Sequence, residues 1–442
     1  MSGDLTGTFY LYTHDNPCHM SKWIKYPLVF LATLVVLFGV FFCYVYFSVD
    51  NRVTLENPVA SFSNTKNIQR LDSVTLPPDS VTRYITALLQ KANVHGLAVS
   101  IVNHQELVYQ QYFGLRDKRK NEPFTPGTIW YGASLSKTIL ADVALQLAAE
   151  GLIHLDTPLY RYLVKPLYTY RTNSVQQFFG ANYIDYNSLE GDGRYKKITA
   201  RMCLAHTSGF PNWRWLEPDQ KLKIKFEPGT KYSYSGEGLF LLQVVMEEIT
   251  GKDFDELAIE KIFVPLEMNR SSFVWQRAYE GNYAVGHGSN GSFLGIPKRN
   301  VPNGAGSLST TLEEYTRYFQ TVLMQQQPRY KVLTSQQIRI KARQQFGPDA
   351  QVETNENDSI RLAYGLGYGL YETPNGKAFF KEGHLEGWQH YAVGIPAKGN
   401  ALILMSNSDN AESIFKELIE YTTGNTATPW YWEGYIPFDL EP

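Results

Sequence analysis

Tyr131-Gly132-Ala133-Ser134-Leu135-Ser136-Lys137-Thr138 sets a hydroxyl and an amine three residues apart, and residues at i and i+3 share one face of a helix. The run that follows carries apolar residues at Leu135, Ile139, Val143 and Leu147, with Leu140, Ala144 and Ala148 beside them, and Gly151 stands where such a helix stops. Ser134 is therefore expected at the start of a buried helix. The N–H groups of a first turn have no partner within the helix, which suits that position to a nucleophile with an oxyanion donor at hand. A lysine one turn on can draw off or stabilise the hydroxyl proton.

The spacing alone is weak, because common residue frequencies give S-x-x-K on the order of two chance matches in a chain of this length. Ser63-Asn64-Thr65-Lys66 has the same spacing but sits among Asn and Asp without helical periodicity, and reads as linker. The alternative for Ser134 is a capping serine followed by a solvated lysine.

Two stretches downstream separate these readings: Ile198-Thr199-Ala200-Arg201-Met202-Cys203-Leu204-Ala205-His206-Thr207-Ser208-Gly209-Phe210-Pro211, then Pro228-Gly229-Thr230-Lys231-Tyr232-Ser233-Tyr234-Ser235-Gly236-Glu237-Gly238-Leu239. With them the chain resembles the serine beta-lactamase-like hydrolases, the group of class C beta-lactamases, D-alanyl-D-alanine carboxypeptidases and esterases. Their pattern is S-x-x-K, H-T-S-G, P-G-x-x-x-x-Y-S-N, then K-T-G or H-x-G. Gly151 to Pro158, Val264 to Met268 and Gly304 to Thr310 add smaller matches, and order and spacing agree from about residue 80 to about 425. The resemblance implies Ser134 as the acylated nucleophile, Lys137 as its proton-handling neighbour, and Tyr234 as the phenolate or hydrogen-bonding base. A phenolate at neutral pH needs a downward shift of roughly 3 units from a tyrosine's usual value near 10. A neighbouring ammonium has the right sign to provide it. His206 falls on what is in the family a structural turn.

The third element lies in Lys381-Glu382-Gly383-His384-Leu385-Glu386-Gly387-Trp388. Aligned on H-x-G, His384 takes the cationic or donor position, Glu386 falls where the family has glycine, and the N–H of Gly387 is expected to complete the oxyanion hole with that of Ser134. Gly236 stands in place of the Asn of Y-S-N. That removes a side chain with which the family holds a substrate amide, and the resemblance then favours esters over peptides or lactams. Ser408-Asp409-Asn410 spells S-D-N but follows the third element instead of preceding it, so it reads as the cap of a final helix from Ala411 to Tyr421. The resemblance implies no cofactor and no metal.

Residues 26–47 hold no charged residue and are rich in Leu, Val and Phe, long enough at about 1.5 Å per residue to cross a hydrocarbon layer of roughly 30 Å. Lys22 and Lys25 precede the run and Arg52 follows it, which favours a cytoplasmic N-terminus and a domain outside, periplasmic or extracellular. The alternative, a cleaved signal peptide, lacks a small-x-small site. The expected organisation is a short tail (1–25), a transmembrane anchor (26–48), a polar linker (49–77), the hydrolase domain (78–425) and a C-terminal tail (426–442).

A net charge of −2 without long charged blocks gives no reason to expect nucleic acid as a partner. Cys203 is the lone cysteine beyond the anchor, so stability must come from the core. A helix from Asp79 to about Lys91, strands at Leu97 to Val102 and Leu107 to Phe113, and further strands near Ala378 to Lys381, Tyr391 to Ile395 and Ala401 to Met405 predict an α/β (α+β) architecture of the beta-lactamase and transpeptidase-like kind. In it, an antiparallel sheet built from both ends of the chain is flanked by helices, with a mainly helical portion inserted. The leading functional expectation is a membrane-anchored serine hydrolase acting on a small-molecule or cell-wall peptide substrate through an acyl-enzyme. The alternatives are a cell-wall peptidase or penicillin-binding protein, and a binding or sensor protein on the same scaffold.

Overall fold

The computed structural model describes residues 30–41, 64–172 and 183–440, which fall into two units, residues 1–51 and 52–442. In the first, residues 30–41 form a helix, about 18 Å long at 1.5 Å per residue, with its Phe, Leu and Val side chains exposed. Among the described residues no helix is long and apolar enough to cross a membrane. The rest of the expected anchor, residues 26–29 and 42–48, lies outside the described residues.

In the second unit α1 (Pro78–Lys91) leads into β1 (Gly96–Asn103) and β2 (Glu106–Asp117), as the terminal periodicity predicts. The chain then runs through the inserted portion, which carries α2 (Ser136–Ala149), α3 (Gly236–Thr250) and α4 (Leu312–Met324). It returns as β3 (Gly369–Thr373), β4 (Gly376–Leu385), β5 (Trp388–Ile395), β6 (Asn400–Ser406) and α5 (Phe415–Thr423). One antiparallel sheet of nine strands results among the described residues, with β3, β4, β5, β6, β1 and β2 as consecutive neighbours. Pairing of β6 with β1, Leu402 opposite Ile101, closes the last strand onto the first.

Both faces of the sheet are covered, which is why β6 reads as an apolar run from Ala401 to Met405 and β1 as one interrupted only at Ser100. Ala98, Val102, Ala401, Ile403 and Met405 point to the side of α2 and α4, where Ile139, Leu140, Val143, Tyr318 and Phe319 are buried. Leu97, Val99, Ile101, Leu402 and Leu404 point to the other side, where Val81, Ile85, Leu418 and Ile419 of α1 and α5 pack. Cutting one of these leucines to alanine typically costs about 2–5 kcal/mol.

Three boundaries differ from expectation. The described part of the polar linker, residues 64–77, is folded onto the domain: Ile68–Gln69 pairs with Thr75–Leu76, Ile68 is fully buried, and Asn103 Oδ1 accepts from Gln69 N at 2.8 Å. Residues read as a C-terminal tail include a short helix, Trp430–Glu433, whose Trp430 and Trp432 join the core with Tyr232 and Phe380. Asn410 precedes a 3-10 turn (Ala411–Ile414) without a side-chain cap, and Gly424 ends α5 in the left-handed region at φ 71°.

Candidate active site

The serine turn is a 3-10 stretch (Ala133–Leu135) feeding directly into α2, so Ser134 opens a buried helix as its sequence predicts. Ala133, just before it, has φ 44°, an uncommon conformation for a residue with a Cβ. Surrounding bonds hold the turn there. Gly132 N donates to Leu308 O at 2.7 Å, Leu308 N donates to Ser136 Oγ at 3.0 Å, and Trp130–Tyr131 pairs with Ser309–Thr310. The Gly304 to Thr310 segment is thus a strap across the serine turn.

Lys137 is buried, donates to Ser134 Oγ at 2.9 Å and to Ala305 O at 2.5 Å, and among the described residues forms no ion pair with a carboxylate. Burial first, and then the nearby Lys381 charge, hold its amine well below the usual lysine value, with Glu382 opposing. A lysine so placed, beside a hydroxyl, gives up its proton more readily than an exposed one.

Tyr234 reaches the same cleft from the segment before α3. Its partner is Lys381, whose Nζ lies 3.4 Å from the phenol oxygen, while the Nζ atoms of Lys137 and Lys381 stand 5.1 and 5.2 Å from the ring centroid. Burial and the Glu382 charge push the phenol well above its usual value, against a smaller opposing effect of its hydrogen bond with Ser134. That is opposite in sign to the shift a phenolate base requires. The segment is pinned by His206: Ser235 N donates to its Nδ1 at 3.1 Å, Ser233 N donates to its backbone O at 2.8 Å, and its ring lies 4.3 Å from that of Tyr234.

The third element sits three residues earlier than the H-x-G alignment puts it. Lys381-Glu382-Gly383 on β4 passes the serine turn, and Gly383 comes so close that a Cβ there would lie 2.9 Å from Gly132 O. Lys381, and not His384, is the cation beside Tyr234. His384 does line the cleft, with Nε2 3.6 Å from Glu412 Oε1. Leu385 pairs with Trp388, so Glu386 and Gly387 are the two-residue turn of the β4–β5 hairpin. Gly387 has φ 80°, and its N–H is already donated to Asp409 Oδ1 at 3.0 Å. The hairpin continues past the point where the oxyanion donor was expected, and this removes Glu386 and Gly387 from the site. The signal for Lys381 was in the sequence, since K-x-G fits there without a departure at the glycine.

Glu382 occupies the middle of that triplet. Its Oε1 accepts from Lys381 Nζ at 2.7 Å and from Gln345 Nε2 at 2.6 Å, all buried. Burial pushes the carboxyl up, but the Lys381 ammonium and its hydrogen bonds outweigh this and hold Glu382 below the usual carboxylate value. Burial lowers Lys381, opposed by the same Glu382. The pair is a buried ion pair.

Gly236 opens α3 with its N–H donated to Asn212 Oδ1 at 3.2 Å. A Cβ at 236 would lie 2.5 Å from the ring of Trp213, so an indole covers the place where an asparagine side chain would begin. Ser134, Lys137, Asn212, Trp213, Tyr234, Phe346, Glu382 and His384 together line a small cleft of about 80 Å³. Among the described residues no group of three or more His, Cys, Asp or Glu is placed to hold a metal ion.

The model of the Beta-lactamase family matches residues 81–422. The chain is 25% identical over 230 residues to Esterase EstB of Burkholderia gladioli, covering 46% of this chain and 53% of that protein. It is 23% identical over 247 residues to a Beta-lactamase of Escherichia coli (strain K12), covering 55% of this chain and 61% of the relative. The chain therefore spans only about half to three fifths of these two relatives. Among solved structures it is similar to the octameric penicillin-binding protein homologue from Pyrococcus abyssi, with TM-score 0.62, 19% identity, and 79% and 78% of the two chains covered, a likeness of fold.

Proposed function

The chain belongs to the beta-lactamase family, and on that premise we propose that it is a serine hydrolase that cleaves esters through an acyl-enzyme. The observation that carries this reading is the buried Lys137 amine hydrogen-bonded to Ser134 Oγ at 2.9 Å, with burial holding it well below the usual lysine value.

Lys137 takes the Ser134 proton as Oγ attacks the carbonyl carbon, and the backbone N–H groups of Ser134 and of His384, the residue following the close-packed Gly383, hold the oxyanion. As the C–O bond to the leaving alcohol breaks, Lys137 returns the proton to that oxygen. Water then attacks the acyl carbon, gives a proton to Lys137, and releases the acid as Ser134 recovers its proton. Tyr234, kept protonated by burial and Glu382, donates a hydrogen bond along this route and is not the base. Ester over amide is supported by Gly236, which leaves no side chain to grip a substrate amide, and an ester needs less help at its leaving group.

Labelling the isolated domain with a fluorophosphonate and, in parallel, a fluorescent penicillin tests the reading. The fluorophosphonate adduct is expected on Ser134 and absent in Ser134→Ala. An adduct on another serine, or none with either reagent, overturns it in favour of a binding or sensor protein. Faster turnover of a D-alanyl-D-alanine peptide or a cephalosporin than of any ester would instead favour the cell-wall peptidase.

The uncharged run at 26–47 with Lys22 and Lys25 before it supports a second part of the proposal, an anchor with the hydrolase domain outside the cytoplasmic membrane. Alkaline phosphatase fused after residue 77 is then active, and a fusion active only with a cytoplasmic reporter reverses the topology.

A further inference from the structure

The mouth of the cleft is built from aromatic side chains that the reaction itself does not use. Trp213 lines the cleft and stacks on Trp215 with ring centroids 4.7 Å apart and planes 11° from parallel. Trp215 is 56% exposed and carries the surface outward, with Leu216 exposed beside it. Phe346, also lining the cleft, is 40% exposed and sets its edge against the Tyr234 ring at 5.2 Å.

This surface is held rigidly. Arg214, between the two tryptophans, is buried against Glu237 through its Nε at 2.8 Å and Nη2 at 2.6 Å, and its backbone N–H donates to the same carboxylate at 3.0 Å. Glu237 is the second residue of α3, so the indoles are tied to the helix that follows Tyr234. Two stacked indoles fixed at a cleft mouth, one more than half exposed, are costly to leave in water and are a surface for apolar contact.

The charge of the cleft selects in the same direction. Lys381 is paired with Glu382 at 2.7 Å, Lys137 is engaged by Ser134 Oγ and Ala305 O, and His384 has Glu412 at 3.6 Å. A carboxylate entering the cleft meets the Glu382 carboxylate, which lines it.

We propose that Trp213, extended by Trp215 and joined by Phe346, is an acyl subsite that takes the hydrocarbon chain of a neutral ester, and that the Lys381–Glu382 pair excludes carboxylate-bearing substrates. The inference rests on the reading of Ser134 as nucleophile for its turnover and names the substrate class of that site.

The test uses esters of one alcohol with acetyl, butyryl, octanoyl and succinyl chains. In the wild type, kcat/KM is expected to rise about twofold per methylene, half of what full burial of a CH₂ gives. The succinyl ester is expected to fall about tenfold or more below the butyryl ester at pH 7, as an unpaired charge in the site demands. Trp213→Ala collapses the octanoyl-to-acetyl ratio, while Trp213→Phe, which keeps a ring over Gly236, retains most of it. A flat chain-length series, or a succinyl ester equal to butyryl, overturns the subsite. Binding to Ser134→Ala, followed by quenching of tryptophan emission, separates this from failure of the nucleophile reading. Should no ester be turned over, tighter binding of the octanoyl than the acetyl ester, lost in Ser134→Ala/Trp213→Ala, still supports the subsite, and equal binding overturns it.

Discussion

Two lysines lie buried within about 5 Å of the Tyr234 ring, and their surroundings give them opposite chemistry. Lys137, on α2, has a hydroxyl and a carbonyl as hydrogen-bond partners, so burial holds its amine well below the usual lysine value. Lys381, on β4, has the Glu382 carboxylate at 2.7 Å, so burial is met by an opposite charge. Identical side chains in one cleft thus serve, on the proposed reading, as a base and a fixed ion. What separates them is one carboxylate, which adds to burial in holding the Tyr234 phenol above its usual value and, on the proposed reading, leaves the base function to Lys137.

The same substitution at both positions breaks or sustains this contrast. Lys137→Met is expected to slow acylation by about 100-fold to 10,000-fold, the usual contribution of a general base. Its stability changes little, because the hydrogen bonds lost are worth about 1–2 kcal/mol and relief of a buried amine offsets part of that. Lys381→Met leaves Glu382 buried without its cation, and a buried pair broken on one side costs about 3–5 kcal/mol. Chemical denaturation and single-turnover acylation measure both. Equal destabilisation by the two variants would show that Lys137 is also held as an ion.

The pH dependence sharpens the point. Lys137 acts unprotonated and its amine is held well below 10.5, so acylation rises as pH climbs through that depressed value and then levels. The plateau ends only at high pH, where Tyr234 ionises, since its phenol is pushed above 10. An ascending limb near 10.5 would mean an ordinary lysine and remove the base assignment.

Gly236 gives a smaller effect of steric origin. Because a Cβ there would lie 2.5 Å from the Trp213 ring, Gly236→Ala is expected to cost about 1–3 kcal/mol, the range for overpacking. In Trp213→Ala the same change should cost much less. An asparagine at 236 meets the same obstacle, so restoring the amide side chain requires removal of the indole.

The helix at Ser134 and the strands of both termini were legible because each is a long run with one dominant period. Ile139, Val143 and Leu147 recur at helical spacing, and β1 and β6 are apolar along their length save for Ser100 and the strand ends. The folded part of the linker was not, because strands of two residues at Ile68–Gln69 and Thr75–Leu76 are too short to show a period. In the site, Ser134, Lys137 and Tyr234 come together as the motif order implies. The third element was misplaced because the alignment was set on His384, although Lys381-Glu382-Gly383 three residues earlier keeps the glycine of K-x-G. Trp213 over Gly236 is a contact between residues 23 positions apart, and no local pattern encodes it.

Asp409 offers the finest discrimination between the two registers of the third element. In the structure its Oδ1 accepts the Gly387 N–H at 3.0 Å, at the tip of a hairpin turn outside the cleft. Asp409→Ala removes that acceptor from a half-buried position, so stability should fall by about 0.5–1.5 kcal/mol, the net worth of one hydrogen bond. Acylation of Ser134 should not change, because the turn takes no part in holding the oxyanion. Had Gly387 been the oxyanion donor, freeing its N–H from a competing carboxylate would speed acylation. A rate increase in Asp409→Ala would therefore return the donor to Gly387 and undo the assignment of His384 N–H, while a small loss of stability at unchanged rate keeps the register that Lys381 and Gly383 define.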